Sequence, residues 1–414
     1  MTFSYRDGVL CAEKVPLPQI AGRFGTPCFV YSRSAIESSY GEFQRALAGR
    51  DALVCYSVKA NSNLAVLDLL ARLGAGFDIV SGGELARVLA AGGDPRKVVF
   101  SGLGKSDAEI EQAIKAGILS INIESEQELA RVSRIASRVR RRARVALRIN
   151  PEVDAKTHPY ISTGLKQSKF GIAHSEAERL CIKASRLRPI RLVGIGCHIG
   201  SQLTDSAPYA AAVGRIVELA VRLERAGVPL EHIDAGGGIG IRYRDEEAGP
   251  IAGFVAAALQ ALGARRERLL LDPGRSIVGN AGVLLTKIEY VKRGEEKNFL
   301  VVDAAMNDLL RPALYQAWHE VRAVQESDAP ADVYDIVGPV CESADFLARD
   351  RKLSARAGDC LAILSAGAYG MVMSSNYNTR PRAAEVMVSG GRARLVRRRE
   401  RIRDLYSQET VPRW

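Results

Sequence analysis

A lysine follows the apolar run Ala52-Leu53-Val54-Cys55-Tyr56, within Tyr56-Ser57-Val58-Lys59-Ala60-Asn61. The run reads as a buried strand, so it delivers an ammonium to a strand end. A buried ammonium is costly unless paired or neutralised. A desolvated lysine has a lowered pKa and attacks carbonyl carbon, which makes Lys59 a candidate for Schiff-base chemistry. The ordinary alternative is a lysine that simply reaches solvent. Three further stretches carry groups of complementary chemistry. Asp234-Ala235-Gly236-Gly237-Gly238 lets successive backbone N–H groups converge on an anion such as a phosphate, though a glycine run also makes a plain tight turn. Cys197-His198-Ile199-Gly200-Ser201-Gln202 offers an imidazole that could stack on a flat ring, and the Ser201 hydroxyl for a phosphate. A lone histidine is otherwise structural. Leu271-Asp272-Pro273-Gly274-Arg275 offers a carboxylate able to keep a pyridinium nitrogen protonated, and a guanidinium fork for a carboxylate or phosphate. Asp-Pro-Gly is also ordinary turn chemistry.

These groups need a scaffold that brings distant segments together. From about residue 31, short apolar runs alternate with amphipathic segments rich in Ala, Leu, Glu and Arg. The runs end near Lys59, Asp78, Ser101, Glu124, Arg148, His198, Asp234 and Asp272. Helical patterns such as 65–73, 83–91, 108–116 and 126–138 lie between them. Alternation of this kind predicts parallel pairing and a (β/α)8 barrel over 31–280, with the polar strand ends sharing one face. The long interval after Arg148, with Thr157 to Gly164 around His158, predicts a loop over that face. After residue 281 strands follow one another without long helices: 283–291, 299–302, 333–337, 360–364 and 384–388. They predict a C-terminal β-rich domain, which the lead-in of residues 1–30 joins because chain termini often lie close together.

Composition narrows the class. The 414 residues, 47% hydrophobic and 25% charged, suit a soluble globular chain of barrel size plus a smaller domain. The +11 formal charge comes largely from the runs 138–144 and 392–403, which read as solvated faces rather than a nucleic-acid surface. Seven widely spaced cysteines without a CxxC argue against a disulfide framework and against a zinc site. No secretory signal pattern or membrane-length apolar run is visible, so a cytoplasmic protein with no membrane or metal partner is expected. No GxxxxGK[ST] motif is present, which disfavours a P-loop nucleotide site.

A strand-end lysine, a phosphate nest, a ring-facing histidine and a carboxylate together suit pyridoxal 5′-phosphate. YSVKAN at 56–61, CHIGSQ at 197–202, the glycines 236–238 and Pro273-Gly274-Arg275 resemble the fold-type III, alanine racemase-like decarboxylases of basic amino acids. The second half resembles the diaminopimelate decarboxylase family, through Met306 to Tyr315 (MNDLLRPALY), Gly338 to Ser343 (GPVCES), Gly367-Ala368-Tyr369-Gly370 and Ser375-Asn376-Tyr377-Asn378. The match runs in order through nearly the whole chain. The resemblance implies that Lys59 carries the cofactor covalently and that His198 stacks on its ring. It implies that Ser201 and Gly236, Gly237 and Gly238 hold the phosphate. Asp78, Arg148, Asp272, Pro273, Gly274, Arg275 and Tyr369 would also line the cofactor. Arg275, Arg311 and Tyr315 would grip the distal carboxylate of meso-diaminopimelate, with Glu342 and Tyr369 at its distal ammonium. Cys341 would be the proton donor. In the family Cys341 and Glu342 reach the site from a partner subunit, which implies a homodimer with shared sites. Two arginines facing a distal carboxylate disfavour ornithine, lysine, arginine or carboxynorspermidine-type substrates, the main alternative. A non-catalytic cofactor-binding protein is the reading from another class. One departure is Asp272, where the family usually has glutamate; retained activity with looser cofactor binding is expected.

Overall fold

Eight parallel strands close on themselves in the unit formed by Ser39–Arg242 and Glu246–Ser276. They are Ala52–Ser57, Gly76–Ile79, Val98–Phe100, Ser120–Ile123, Ala143–Asn150, Ile190–Gly196, His232–Asp234 and Arg268–Leu271. Each pairs in parallel with the next. The eighth pairs with the first, and the fourth with the fifth, so no barrel edge is left open. The computed structural model describes residues 2–154 and 169–414. The loop expected over 157–164 lies outside the described residues. Strand interiors are apolar on both faces, as expected where helices cover a parallel sheet; from Leu53 to Ser57 every residue of the first strand is buried.

The helices start where the sequence supplies caps. Asn63, Ser81, Ser106, Ser125 and Asp205 each accept a hydrogen bond from a first-turn N–H. At Ser106 the partner Glu109 completes a capping box. The helix Glu126–Arg138 turns Leu129, Val132, Ile135 and Ala136 inward. The basic run at its end is occupied locally. Arg138 pairs with Glu111 at 2.6 Å, Arg141 donates to the Lys115 carbonyl and Arg144 pairs with Glu231 at 2.7 Å.

The second unit comprises Met1–Ser38, Tyr243–Asp245 and Ile277–Trp414 and is built mainly of β-strands. Its longest strand, Gly282–Arg293, pairs antiparallel with Asn298–Val302, Cys360–Ile363 and Cys28–Ser32. Cys28–Ser32 also pairs with Ala384–Ser389, in parallel, so the lead-in is a central strand of this sheet. All five of its residues are buried. Sequence analysis places the lead-in in this domain but gives no bounds for a strand at 28–32. Among the described residues no helix is long and apolar enough to cross a membrane.

Close approach in the barrel also leaves one imidazole in an unusual setting. His232, at the start of strand seven, is 2% exposed and its Nε2 has no hydrogen-bond partner. The ring lies against Gly194 of strand six, where any Cβ would strike it. Burial, reinforced by nearby Arg144, pushes this imidazole down to about 4. The unfolded chain therefore takes up a proton below pH ~6.5 that the folded chain refuses until about pH 4. Stability should fall as pH drops through that window, by about 2 kcal/mol between pH 7.5 and 5. Urea midpoints of wild type and His232→Asn at the two pH values test this. The variant should lose less on acidification, and identical pH dependence would refute the assignment.

Candidate functional site

The ends of strands one and eight are tied together, and this places the barrel's chemical groups. Ser57 N–H donates to the Pro273 carbonyl at 3.0 Å. The Ser57 hydroxyl lies 2.9 Å from the Asp272 carbonyl and 3.1 Å from Asp78 Oδ2, two acceptors for its single hydrogen. Lys59 is not the strand's last residue. It stands two positions on, in the turn Val58–Ala60. Its side chain is 38% exposed rather than buried, and its Nζ meets Asp78 Oδ2 at 3.3 Å. The carboxylate is the buried member of this pair, at 0% exposure, so here the cation matches a charge that water cannot reach.

One cavity is lined by Lys59, Arg148, His198, Asp234 and Asp272, together with Ser101 and Asn122. Two of the sequence's strand-end carboxylates thus share a wall. Burial, strengthened by the Asp272 charge, holds the Asp234 carboxyl well above the usual carboxylate range, against a hydrogen bond from the Gly236 N–H at 2.8 Å. Asp272 Oδ1 is buried without a hydrogen-bond partner. The His198 Nδ1 atom lies 3.7 Å from it. That nitrogen accepts from the Gly237 N–H at 3.4 Å, so the imidazole turns a lone pair toward the glycine loop.

The glycine loop and the CHIGSQ segment form one unit. Leu203 N–H donates to the Gly238 carbonyl and Gly240 N–H to the Leu203 carbonyl, both at 2.8 Å. The Gln202 side chain bonds the Ile241 backbone through both its amide oxygen and its nitrogen. Gly238 has φ +90°, and a Cβ there would collide with the Gly200 carbonyl. Arg275 donates to Ser201 Oγ at 2.9 Å, which brings a guanidinium and a hydroxyl to the same nest. Gly274 lies against Ser57 and Ala60, beside the Lys59 turn.

The remaining predicted residues lie in the second unit, in separate clusters. Arg311 opens the short helix Arg311–Tyr315, which also carries Tyr315. It is 7% exposed, with its guanidinium 4.7 Å from the Tyr243 ring centroid and its NH1 3.0 Å from His319 Nε2. His319 Nδ1 faces the Leu364 carbonyl at 2.8 Å and so carries the proton, which leaves Nε2 to accept from Arg311. Cys341 and Glu342 are exposed and share a loop. Asn378 Oδ1 accepts the Cys341 N–H at 3.0 Å, and the Tyr377 hydroxyl donates to Glu342 at 2.6 Å. Tyr369 is half-buried and has φ +56°. Sequence reading missed Tyr243 and His319 as supports of Arg311. It also gave no task to Glu124 or Asp234, although it marked both as polar strand ends.

The barrel cluster fits pyridoxal phosphate on its own geometry. It has an amine beside a buried carboxylate, a second carboxylate with an orphaned buried oxygen, an imidazole on the same cavity wall, and a nest with no room for side chains. The nest is testable directly. Gly238→Ala combines φ +90° with a carbonyl collision, so it should destabilise the chain by about 1–3 kcal/mol. An unchanged thermal midpoint would contradict the packing of this loop.

Comparison with known proteins agrees with this geometry. The family described as pyridoxal-dependent decarboxylase, pyridoxal binding domain, matches residues 33–279. A Pseudomonas aeruginosa protein named diaminopimelate decarboxylase is 57% identical over 411 residues, 99% of each chain. The crystal structure of diaminopimelate decarboxylase from Helicobacter pylori complexed with L-lysine superposes with a TM-score of 0.92 at 42% identity, covering 95% of this chain and 99% of that one. The M. jannaschii enzyme in co-complex with L-lysine gives 0.95 at 37% identity, covering 99% and 98%. The chain belongs to the diaminopimelate decarboxylase family of pyridoxal-dependent decarboxylases.

Proposed function

We propose that this chain removes one carboxylate of meso-2,6-diaminopimelate as carbon dioxide and releases L-lysine, with pyridoxal 5′-phosphate held on Lys59. The observation that carries the reading is one cavity that joins Lys59 to the buried Asp272 oxygen lacking a hydrogen-bond partner. When bound, the cofactor supplies an electron sink for the pair left by the departing carboxylate. Every other task falls to the chain. Asp78 orients the Lys59 amine from 3.3 Å and balances its charge. Asp272 would keep the ring nitrogen protonated, and the His198 imidazole would face the ring. Ser201 and the loop of Gly236, Gly237 and Gly238 would hold the phosphate, with Gly274, Arg275 and Tyr369 also at the cofactor. Arg148 lies along the same cavity.

Substrate choice follows from charge. Arg275, Arg311 and Tyr315 take the distal carboxylate, while Glu342 and Tyr369 take the distal ammonium. A substrate with only the ammonium would offer these arginines no anion. Arg311 is suited to the task because Tyr243 and His319 fix its fork before substrate arrives. Cys341 delivers the proton to the α-carbon as general acid. The exposure of Cys341 and Glu342 supports a homodimer in which both reach the partner's site. The domain limits 31–280, and 1–30 with 281–414, and a cytoplasmic location belong to the same reading.

Purified chain with added pyridoxal phosphate should release carbon dioxide from meso-diaminopimelate, at least 100-fold faster than from ornithine, lysine or arginine. Comparable rates on ornithine would overturn the substrate assignment. Cys341→Ala should keep the cofactor absorbance and lose turnover by about 10²–10⁴-fold. Full turnover would remove Cys341 from the reaction.

A further inference from the structure

Glu124 ends strand four with a side chain sealed from solvent, at 0% exposure. Its partners are complete. Oε1 accepts the Gly102 N–H at 3.0 Å and lies 3.1 Å from Arg148 NH1, and Oε2 accepts the Gly171 N–H at 3.0 Å. The residue's own N–H is held by Glu128 Oε2 at 2.8 Å, and the other Glu128 oxygen pairs with the buried Lys105 at 2.8 Å. Lys105 in turn donates to the carbonyls of Gly102 and Asn122. The Glu124 carboxylate is therefore fixed by two backbone amides, while its third partner is the flexible side chain of Arg148. Arg148 stacks on the Phe170 ring at 4.9 Å and lines the cavity that holds Asp234 and Asp272.

We propose that Glu124 is a positioning residue: it anchors the Arg148 guanidinium at the cavity wall and so keeps Asp272 available to the cofactor's ring nitrogen. The argument is one of charge sorting, and it rests on the pyridoxal phosphate reading above. The cavity wall presents the cations Lys59 and Arg148 and the carboxylates Asp234 and Asp272. Asp78 takes Lys59 and Glu124 takes Arg148. Released from Glu124, the guanidinium would find Asp234 and Asp272 in the same cavity. A buried cation does not remain unpaired, and its fork would satisfy the Asp272 oxygen that has no donor. The ring nitrogen would then have to compete for that carboxylate.

The test uses the full-length chain and measures the pyridoxal phosphate dissociation constant by fluorescence titration, with thermal midpoints as the folding control. Glu124→Gln should weaken cofactor binding at least ten-fold. The Glu124→Gln/Arg148→Met double variant should bind as Arg148→Met alone does, because Glu124 acts through Arg148. Glu124→Asp keeps the charge but retreats from the two fixed amides. It should lower the thermal midpoint yet hold cofactor affinity within five-fold, because the guanidinium can follow the carboxylate. Additive losses in the double variant, or a loss beyond five-fold in Glu124→Asp, would show a merely structural residue and overturn the proposal. If Glu124→Gln does not fold, the aspartate variant decides on the same threshold. Wild type that binds no cofactor would refute the functional reading instead, so the two failures are distinguishable.

Discussion

Negative charge buried at the strand ends is the constraint on which the rest of the barrel depends. Asp78, Glu124, Asp234 and Asp272 are 0–9% exposed, and each must be matched or neutralised. Each meets that demand differently. Asp78 takes a lysine and Glu124 takes an arginine and two amides. Asp234 accepts one amide and has its protonation favoured by burial and by its neighbour. Asp78 and Asp272 each keep an Oδ1 without a hydrogen-bond partner, and of these two Asp272 lines the cavity. A fold carrying an unmatched buried carboxylate is held there by other interactions, here the Ser57 and Pro273 hydrogen bonds across the closing strands. The incomplete match is where an external cation such as a protonated pyridine fits.

The second unit solves a different problem, the fixing of an exposed loop. Cys341 lies on a surface loop, where a side chain would ordinarily wander. Asp345, 3% exposed, accepts the N–H groups of Val340 at 2.8 Å and Met306 at 2.7 Å, which binds that loop to the one bearing Asn307. Burial raises the Asp345 carboxyl while these two amides pull it down. Gly338 approaches Ala304 and Ala305 so closely that a Cβ would not fit. Asn307 then exchanges hydrogen bonds with Ser375, just ahead of the Tyr377 and Asn378 that hold Glu342 and Cys341. The GPVCES, MNDLLRP and SSNYN motifs, scattered in the sequence, are one hydrogen-bonded assembly within this unit.

Much of the barrel was legible because its code is local. Apolar runs, serine and asparagine caps and polar strand ends recur with each βα step, and all eight strands fall where those signals lie. What escaped was set by distant packing. Cys28–Ser32 pairs with Gly282–Arg293 and Ala384–Ser389, more than 250 positions away, so its place in the sheet has no local signal. The apolar lead-in leaves open whether Lys59 is buried or reaches solvent; the turn Val58–Ala60 carries its side chain outward. Tyr243 lies in a segment between barrel strands seven and eight but packs on Arg311 and His319. No spacing rule announces a three-residue excursion into the other unit.

The strand-end carboxylates show most clearly where sequence reading stops. Position alone makes Asp78, Glu124, Asp234 and Asp272 equivalent, four acidic groups closing apolar runs. Their chemistry diverges only through partners that lie far along the chain. Glu124 reaches Gly171, 47 positions away, and Arg148, 24 positions away. Asp272 has a neighbour in Asp234, whose charge it disfavours. A carboxylate with three donors and a carboxylate with an orphaned oxygen differ by several hydrogen bonds, each worth about 1–3 kcal/mol when a charge is involved. That difference separates a group that holds the wall from one that can hold a cofactor. It is a property of closure, created when strand eight meets strand one and strand four meets strand five.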